Sequence, residues 1–279
     1  MSTERRVCAI CISLDDCLKR FDVKTDEDYN VICSDYTQDP KITDGEVEAM
    51  IVQAQLEKWQ RDGIQQNEFV ITISRQAGAG GSEIARVLAQ KTKMDLMAGQ
   101  IIQRVAESSK MSAKVIESLD EKSVSAMESW VKSIFSSQRP SPNEYLGHLS
   151  RVMATIGKHG NAIIVGRGAN YILPPQTTFR VKIIAPMEYR IESMMRIRNL
   201  SREESKKYIE KRDAERIAFV RTYFQTDWLE VNPLSFDMVI NTEKVGIDGA
   251  VAAILVSFQE WIRIYESRKM DLPDKAAVH

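Results

Sequence analysis

One stretch of the chain, FVITISRQAGAGGSEIARVLAQ, constrains the fold more than any other. Its β-branched apolar run predicts a buried strand over Phe69–Ser74, and the apolar spacing that follows predicts a helix over Glu83–Thr92. Glycine adopts backbone conformations closed to other residues, so consecutive N–H groups in a glycine turn can point at one anion, and the helix start adds its positive dipole end. The stretch therefore predicts a phosphate-binding loop with three glycines: Gly78, Gly80 and Gly81.

This turn departs at two positions from the standard loop pattern G-x-x-x-x-G-K-[ST]. Gly80 aligns with the second glycine, and Ser82 aligns with the hydroxyl that reaches magnesium. Gly81 stands where the pattern has lysine, and Arg75 stands where it has the first glycine. A plain glycine turn that binds no ligand is therefore an alternative interpretation of this stretch taken alone.

The chain beyond the turn alternates between apolar runs and helical patterns. Buried strands that alternate with helices predict a parallel sheet covered on both faces, which is a three-layer α/β/α fold. The further predicted strands are a short one near Met94–Met97, then Asn161–Gly168, Phe179–Ala185 and Phe236–Asn241. The further predicted helices are Gln100–Ser108, a mostly helical stretch over Ser112–His159, Met187–Asn199, Ser201–Phe224 and Ile247–Arg268.

Composition and charge narrow the class of protein. The formal charge of the 279 residues is -1, which argues against a globally basic nucleic-acid binder, although arginine is concentrated between Arg167 and Arg221. No run approaches the roughly 18 apolar residues of a membrane span. Acidic residues follow the amino terminus before any signal-like apolar core develops. We therefore expect a cytoplasmic protein without a membrane or nucleic-acid partner.

Residues 1–66 form a predicted appended unit, separate from a larger domain over residues 67–279. A turn-rich segment divides its cysteine-bearing start from an amphipathic helix predicted over Glu46–Arg61. A cytosolic chain would keep its thiols reduced, so zinc or an iron–sulfur cluster is one interpretation of the cysteines and apolar packing is the other. We also expect this unit to bind a protein partner of unknown identity. The cysteines are Cys8, Cys11, Cys17 and Cys33.

Arginines occur where ligands bind in α/β proteins. Arg167 lies at the carboxyl end of the predicted buried strand Asn161–Gly168, which places it at the carboxyl edge of the sheet. Arg212 and Arg216 are four residues apart on a predicted helix and share one face, with Asp213 beside them. A surface arginine and a solvated helix face are the alternative interpretations of these positions.

Several segments, in this order and spacing, resemble the cytidylate kinase-like family, relatives of the nucleoside monophosphate kinases. The resemblance covers about residues 68–268 and implies a P-loop NTPase fold. It also implies a helical insertion at about 107–149 that closes over the monophosphate, and an arginine-bearing lid at about 196–224. The segments are VITISRQAGAGGSEIARVLA, IIVGRGANYIL, IIAPMEYRI, KRDAERIAFVR and DMVINTEKVGIDGAV.

The resemblance implies a kinase that transfers the γ-phosphoryl group of ATP, with magnesium, to CMP, dCMP or a related small acceptor. It implies that the donor phosphates lie against Arg75, Gly78, Ala79, Gly80, Gly81 and Ser82, and that Ser82 reaches the magnesium ion. It implies an acceptor site with Arg167 and Asp213, to which Arg190 is a further candidate. The arginines expected to neutralise the transferring group are Arg212, Arg216 and Arg221.

Two positions differ from relatives of the family. Ala98 stands where relatives tend to have an acid after the second strand, and Gly168 stands where cytidylate kinases place an aspartate. Together with the missing lysine, these differences leave two alternatives open. One is a nucleotide-binding sensor or regulatory protein with little or no turnover, and the other is a kinase for a non-nucleotide acceptor.

Overall fold

The structure is a computed structural model of the chain. It describes residues 24–25, 31–32, 55–59, 61, 68–136, 144–224 and 233–270. The four cysteines and most of the helix predicted over Glu46–Arg61 lie outside the described residues. Within the described part of the first 66 residues, Lys24–Thr25 pairs antiparallel with Val31–Ile32, and residues 55–59 and 61 are helical.

Five parallel strands form the central sheet, in the order β2-β3-β1-β4-β5. The β-branched residues that predict the first strand occupy its centre, where side chains on both faces are buried. The carboxyl ends of β1 and its two neighbours therefore lie side by side at one edge of the sheet. The strands are β1 Val70–Arg75, β2 Asp95–Ala98, β3 Ala162–Val165, β4 Thr178–Ile184 and β5 Met238–Asn241.

Helices cover both faces of this sheet. Successive strand residues point to opposite faces, so the apolar strands present side chains that must be buried on each side. Ala162 and Ile164 belong to one core cluster, whereas Ile163 and Val165 belong to the other. The three-layer α/β/α prediction is therefore confirmed. The helices are α1 Gly81–Thr92, α2 Gly99–Glu107, α3 Ser109–Ile116, α4 Glu121–Ser136, α5 Glu144–His159, α6 Ala169–Ile172, α7 Met187–Arg198, α8 Arg202–Phe224 and α9 Thr242–Met270.

Helices α3, α4 and α5 occupy the stretch predicted to be mostly helical. They pack with α2, α6 and α8 on the face of the sheet that carries Ala162 and Ile164. The Trp130 indole N–H donates to the carbonyl oxygen of Ile172 at 2.8 Å, which connects α4 to α6. Leu56 and Trp59 join the same core cluster. The first 66 residues therefore contact the larger domain, while the domain boundary at residue 66 stays a prediction.

Helix α9 and helix α1 cover the opposite face of the sheet, which carries Ile163 and Val165. Helix α9 begins five residues earlier than predicted, and Gly246 interrupts it with φ 67° and ψ 179°. Among the described helices, the segment Thr242–Arg268 is long and apolar enough to cross a membrane by length and composition. Such a helix alone is weak evidence of a membrane span. Here Ala250, Val251, Ile254 and Phe258 pack into the core against the sheet.

Candidate functional site

A cavity of about 100 Å³ lies at the carboxyl edge of the sheet, between the ends of β1 and β3 and the inner face of α8. Ligands in α/β proteins bind at this edge, close to the point where the strand order reverses. The lining residues are Ser74, Arg75, Gly99, Val165, Gly166, Arg167, Gly168, Asn170, Arg212, Glu215, Arg216, Phe219 and Val220.

Four of the arginines predicted from the sequence meet in this cavity: Arg75, Arg167, Arg212 and Arg216. They come from three separate segments, the end of β1, the turn after β3, and α8. The Arg216 guanidinium also donates to the carbonyl oxygen of Arg75 at 3.3 Å, which ties α8 to the end of the central strand. The cavity therefore has the charge and the position of an anion-binding site.

The turn that presents Arg167 has an unusual backbone. Gly166, Arg167 and Gly168 have φ values of 82°, 53° and 71°, so three consecutive residues are left-handed. The two glycines adopt this conformation readily, whereas arginine does so at an energetic cost. A Cβ atom on Gly168 would lie 2.3 Å from Cε2 of Phe224, so α8 packs directly against this turn.

Positive charge in the cavity is only partly compensated. Burial lowers the pKa of Arg167, and the nearby Arg212 and Arg216 lower it further, while Tyr145 and Glu107 act in the opposite direction. Glu215 is the one carboxylate among the lining residues, and it accepts from Arg212 at 2.8 Å. Asp213, which does not line the cavity, accepts from Arg216 at 3.4 Å. Like charges held close together and away from water favour the binding of an anion between them.

An aromatic cluster borders the guanidinium groups. The Arg167 guanidinium carbon lies 5.4 Å from the ring centroid of Phe219, within the range of a cation–π contact. Tyr145 also lies near Arg167, and burial raises the pKa of its hydroxyl to about 12. The tyrosine therefore stays neutral and does not supply a counter-charge to the arginine.

The glycine turn itself is buried beneath α7, α8 and α9. Gly78 and Gly80 have φ values of 80° and 78°, and Gly80, the N-cap residue of α1, has no side chain with which to cap the helix. The first N–H groups of a helix lack acceptors within the helix, and a phosphate group is a suitable acceptor for them. Ala79, Gly81 and Ser82 are buried as well, and none of the residues from Gly78 to Ser82 lines the arginine cavity.

Two predicted acceptor-site residues contact the back of this turn. Asp213 accepts from the Ala77 N–H at 2.9 Å and from the Arg190 guanidinium at 2.6 Å. Arg190 also donates to the Ala77 carbonyl oxygen at 3.3 Å. Arg190 is only 6% exposed, because these two contacts hold its guanidinium against the turn. Neither side chain lines the cavity, and acceptor binding by them stays a prediction.

Other predicted positions lie elsewhere. Arg221 is exposed near the end of α8 and does not line the cavity. Ala98 is 2% exposed at the end of β2, so the position where relatives carry an acid is filled by a buried methyl group. The described residues contain no group of three or more metal-binding side chains, and the cysteines lie outside them.

Sequence reasoning missed four polar or aromatic residues of the cavity: Ser74, Asn170, Glu215 and Phe219. Asn170 follows Arg167 by three residues on a short helix, and its side chain is deeply buried. A signal for it was present, because a polar residue in the apolar segment ANYIL right after a buried strand lies at the ligand-binding edge.

A parallel α/β sheet with a glycine turn after its central strand and an arginine-lined cavity at its carboxyl edge is typical of proteins that bind phosphate groups. The chain belongs to the cytidylate kinase-like family, whose model matches residues 70–244. Membership of this family indicates a phosphotransferase of the nucleotide kinase type.

One solved structure supports the fold. An uncharacterized protein from Eubacterium ventriosum is 21% identical, with a TM-score of 0.53, and the match covers 69% of this chain and 99% of that one. TT1252 from Thermus thermophilus is 14% identical, with a TM-score of 0.34 and coverage of 68% and 97%. The first similarity supports the fold alone, and the second is too distant to add to it. None of the curated proteins matches this chain.

Proposed function

We propose that this protein is a nucleotide kinase that transfers the γ-phosphoryl group of ATP to CMP, dCMP or a related small acceptor. The observation that carries the proposal is the meeting of four predicted arginines, Arg75, Arg167, Arg212 and Arg216, around one cavity. Phosphoryl transfer needs little covalent chemistry from the protein. It needs reactants held in line and cations around the moving group.

The position of each arginine supports a separate role. Arg167, held by its left-handed turn at the sheet edge, would bind the acceptor phosphate. Arg212 and Arg216 project from the inner face of α8, and they would neutralise charge on the transferring group. Arg75 lies between the glycine turn and the cavity, where it would contact both the donor and the acceptor phosphates.

The glycine turn and the start of α1 would hold the donor phosphates of ATP. Their left-handed glycines and the uncapped helix start fit such a group. Ser82, on the first turn of α1, would supply the hydroxyl that reaches magnesium. When bound, the metal would offset negative charge on the β- and γ-phosphates. We place this reaction in the cytoplasm, with a protein partner for the first 66 residues.

A coupled assay with ATP, magnesium and a panel of nucleoside monophosphates tests the proposal. We expect turnover with CMP or dCMP, or with another member of the panel, since Ala98 leaves the acceptor preference open. Arg216→Ala should lower kcat by about a hundredfold or more, as expected for the loss of one transition-state stabiliser. Lys206→Ala is the control, because Lys206 lies on an exposed part of α8 and pairs with Glu210.

Two results would contradict the proposal. The first is an equal loss of activity in the Arg216 and Lys206 variants, because the cavity would then have no special role. The second is nucleotide binding without product for any acceptor, including non-nucleotide acceptors. This second result would favour a sensor, which the missing lysine at Gly81 and the Asp213 carboxylate against the turn also support.

A further inference from the structure

The cavity contains a buried amide that neither the fold nor the proposed arginine chemistry uses. Asn170 is 6% exposed and lines the cavity. Its Oδ1 atom accepts from the Ser74 hydroxyl at 3.3 Å. Its Nδ2 atom is buried and makes no hydrogen bond of ordinary geometry with the described residues, although the Asn170 side chain lies close enough to the Tyr171 hydroxyl to oppose the effect of burial on the pKa of that tyrosine. A buried donor without a partner costs folding free energy, so its presence needs an explanation.

We propose that the Asn170 amide donates to a phosphate oxygen of the acceptor, and that Asn170 is therefore a substrate-binding residue. Ser74 occupies the oxygen end of the amide and so leaves the N–H₂ end for a ligand. An acceptor atom is needed to satisfy this donor, and the surrounding guanidinium groups select a negatively charged one.

A neutral donor suits this position better than a further cation. Burial and the charges of Arg212 and Arg216 already lower the pKa of Arg167, so its charged form is disfavoured in the empty cavity. Another guanidinium would add repulsion in the absence of ligand, whereas an amide adds a directional hydrogen bond without charge. Arg167 and Asn170 line the same cavity of about 100 Å³, so we expect one phosphate group bound there to contact both side chains.

The inference rests on the proposed function, but binding tests it separately from turnover. The probes are CMP and inorganic phosphate, with dissociation constants measured by calorimetry for the full-length protein. We expect Asn170→Ala to weaken both probes by roughly tenfold or more, the range for one hydrogen bond to a charged group. Asn170→Asp keeps the size of the side chain and the acceptor for Ser74, and we expect it to weaken phosphate more strongly than alanine does.

Thr178→Val is the matched control. It removes another buried oxygen without a described partner, at the amino end of β4 and the opposite edge of the sheet. We expect this variant to bind both probes like the wild type. Melting temperatures without ligand will show whether each variant is folded.

The possible results separate the two proposals. Wild-type affinity of both Asn170 variants for both probes would overturn the role of the amide, as would the absence of any phosphate or CMP binding to the wild type at millimolar concentration. A loss of CMP affinity with unchanged phosphate affinity would assign the amide to the sugar or base and overturn the phosphate contact. If the wild type binds both probes but has no kinase activity, the proposed function fails while the Asn170 result still holds.

Discussion

Removal of the Asp213 carboxylate tests whether this residue stabilises the glycine turn or binds the phosphoryl acceptor. In the structure it links the Ala77 N–H to the Arg190 guanidinium. The Asp213 side chain is 14% exposed and that of Arg190 is 7% exposed. Loss of one partner from a buried ion pair costs about 3 to 5 kcal/mol, because the other charge stays buried and uncompensated. We expect the lower end, about 3 kcal/mol, for Asp213→Ala because water reaches part of the site.

Urea unfolding of four proteins provides the assay: the wild type, Asp213→Ala, Arg190→Met and the double variant. The double variant removes the Asp213–Arg190 pair as a unit, so the Arg190 guanidinium is no longer buried without its carboxylate. Arg216 lies 3.4 Å from Asp213 and loses that contact equally in both Asp213 variants, so its contribution cancels in the comparison. We therefore expect it to be more stable than the sum of the single losses predicts, with a coupling free energy of about 2 kcal/mol. Lys206→Ala again serves as a control, since its ion pair with Glu210 is exposed and contributes little.

Two results would refute this reasoning. The first is a loss below about 1 kcal/mol for Asp213→Ala, which is the size expected of an exposed pair. The second is strict additivity in the double variant. A raised KM for the nucleoside monophosphate with unchanged stability would instead support the acceptor contact that the family resemblance implies for Asp213.

Two further predictions concern stability. Burial lowers the pKa of His159 to about 4, so below about pH 6.5 the unfolded chain binds a proton that the folded chain does not. As the pH falls from about 6.5 to about 4, the free energy of unfolding measured with urea should therefore decrease by up to about 1.4 kcal/mol per pH unit. His159→Gln should flatten this dependence. Gly168→Ala should cost about 1 to 3 kcal/mol, because φ is 71° and the new methyl group would meet Phe224. Gly147→Ala, within α5, should be neutral or stabilising in the same thermal or urea assay.

The strands and helices of the larger domain were predictable because their signals are local. The predicted strand Phe69–Ser74 and the observed Val70–Arg75 differ by one residue at each end. The strand predicted over Asn161–Gly168 is shorter in the structure, ending at Val165, because the next three residues are left-handed. Strand order was not predictable in this way, since pairing of β3 with β1 joins segments about ninety residues apart, a separation that no local pattern reports.

The site was predictable in part. The predicted strand placed Arg167 at the sheet edge. For Arg212 and Arg216, periodicity predicted only a shared helix face, and the family resemblance implied that this face meets the same edge. The contacts of Asp213 and Arg190 did not follow, because α8 carries charged residues around most of its circumference and its sequence does not mark the buried side. Burial of a charged side chain depends on a partner from another element, here α7.

The two departures from the standard loop pattern are physically coupled. A Cβ atom on Gly81 would lie 2.6 Å from Cβ and 3.0 Å from Cγ of Arg75, so the stem of Arg75 occupies the space of a side chain at position 81. Beyond this stem, the Arg75 guanidinium reaches Gly166, where an added Cβ would be 2.4 Å from Nη1. The positive charge near the turn therefore comes from the Arg75 side chain at the end of β1, and the stem of Arg75 leaves no room for a side chain at position 81.

This coupling predicts that Gly81→Lys destabilises the protein by about 1 to 3 kcal/mol through overpacking against Arg75. In the double variant Arg75→Gly and Gly81→Lys, the stem is absent and the lysine has room. We expect the double variant to recover at least about 1 kcal/mol relative to the sum of the single losses in urea unfolding. Strict additivity would mean that the two positions are independent, and that Arg75 does not take the place of the missing lysine.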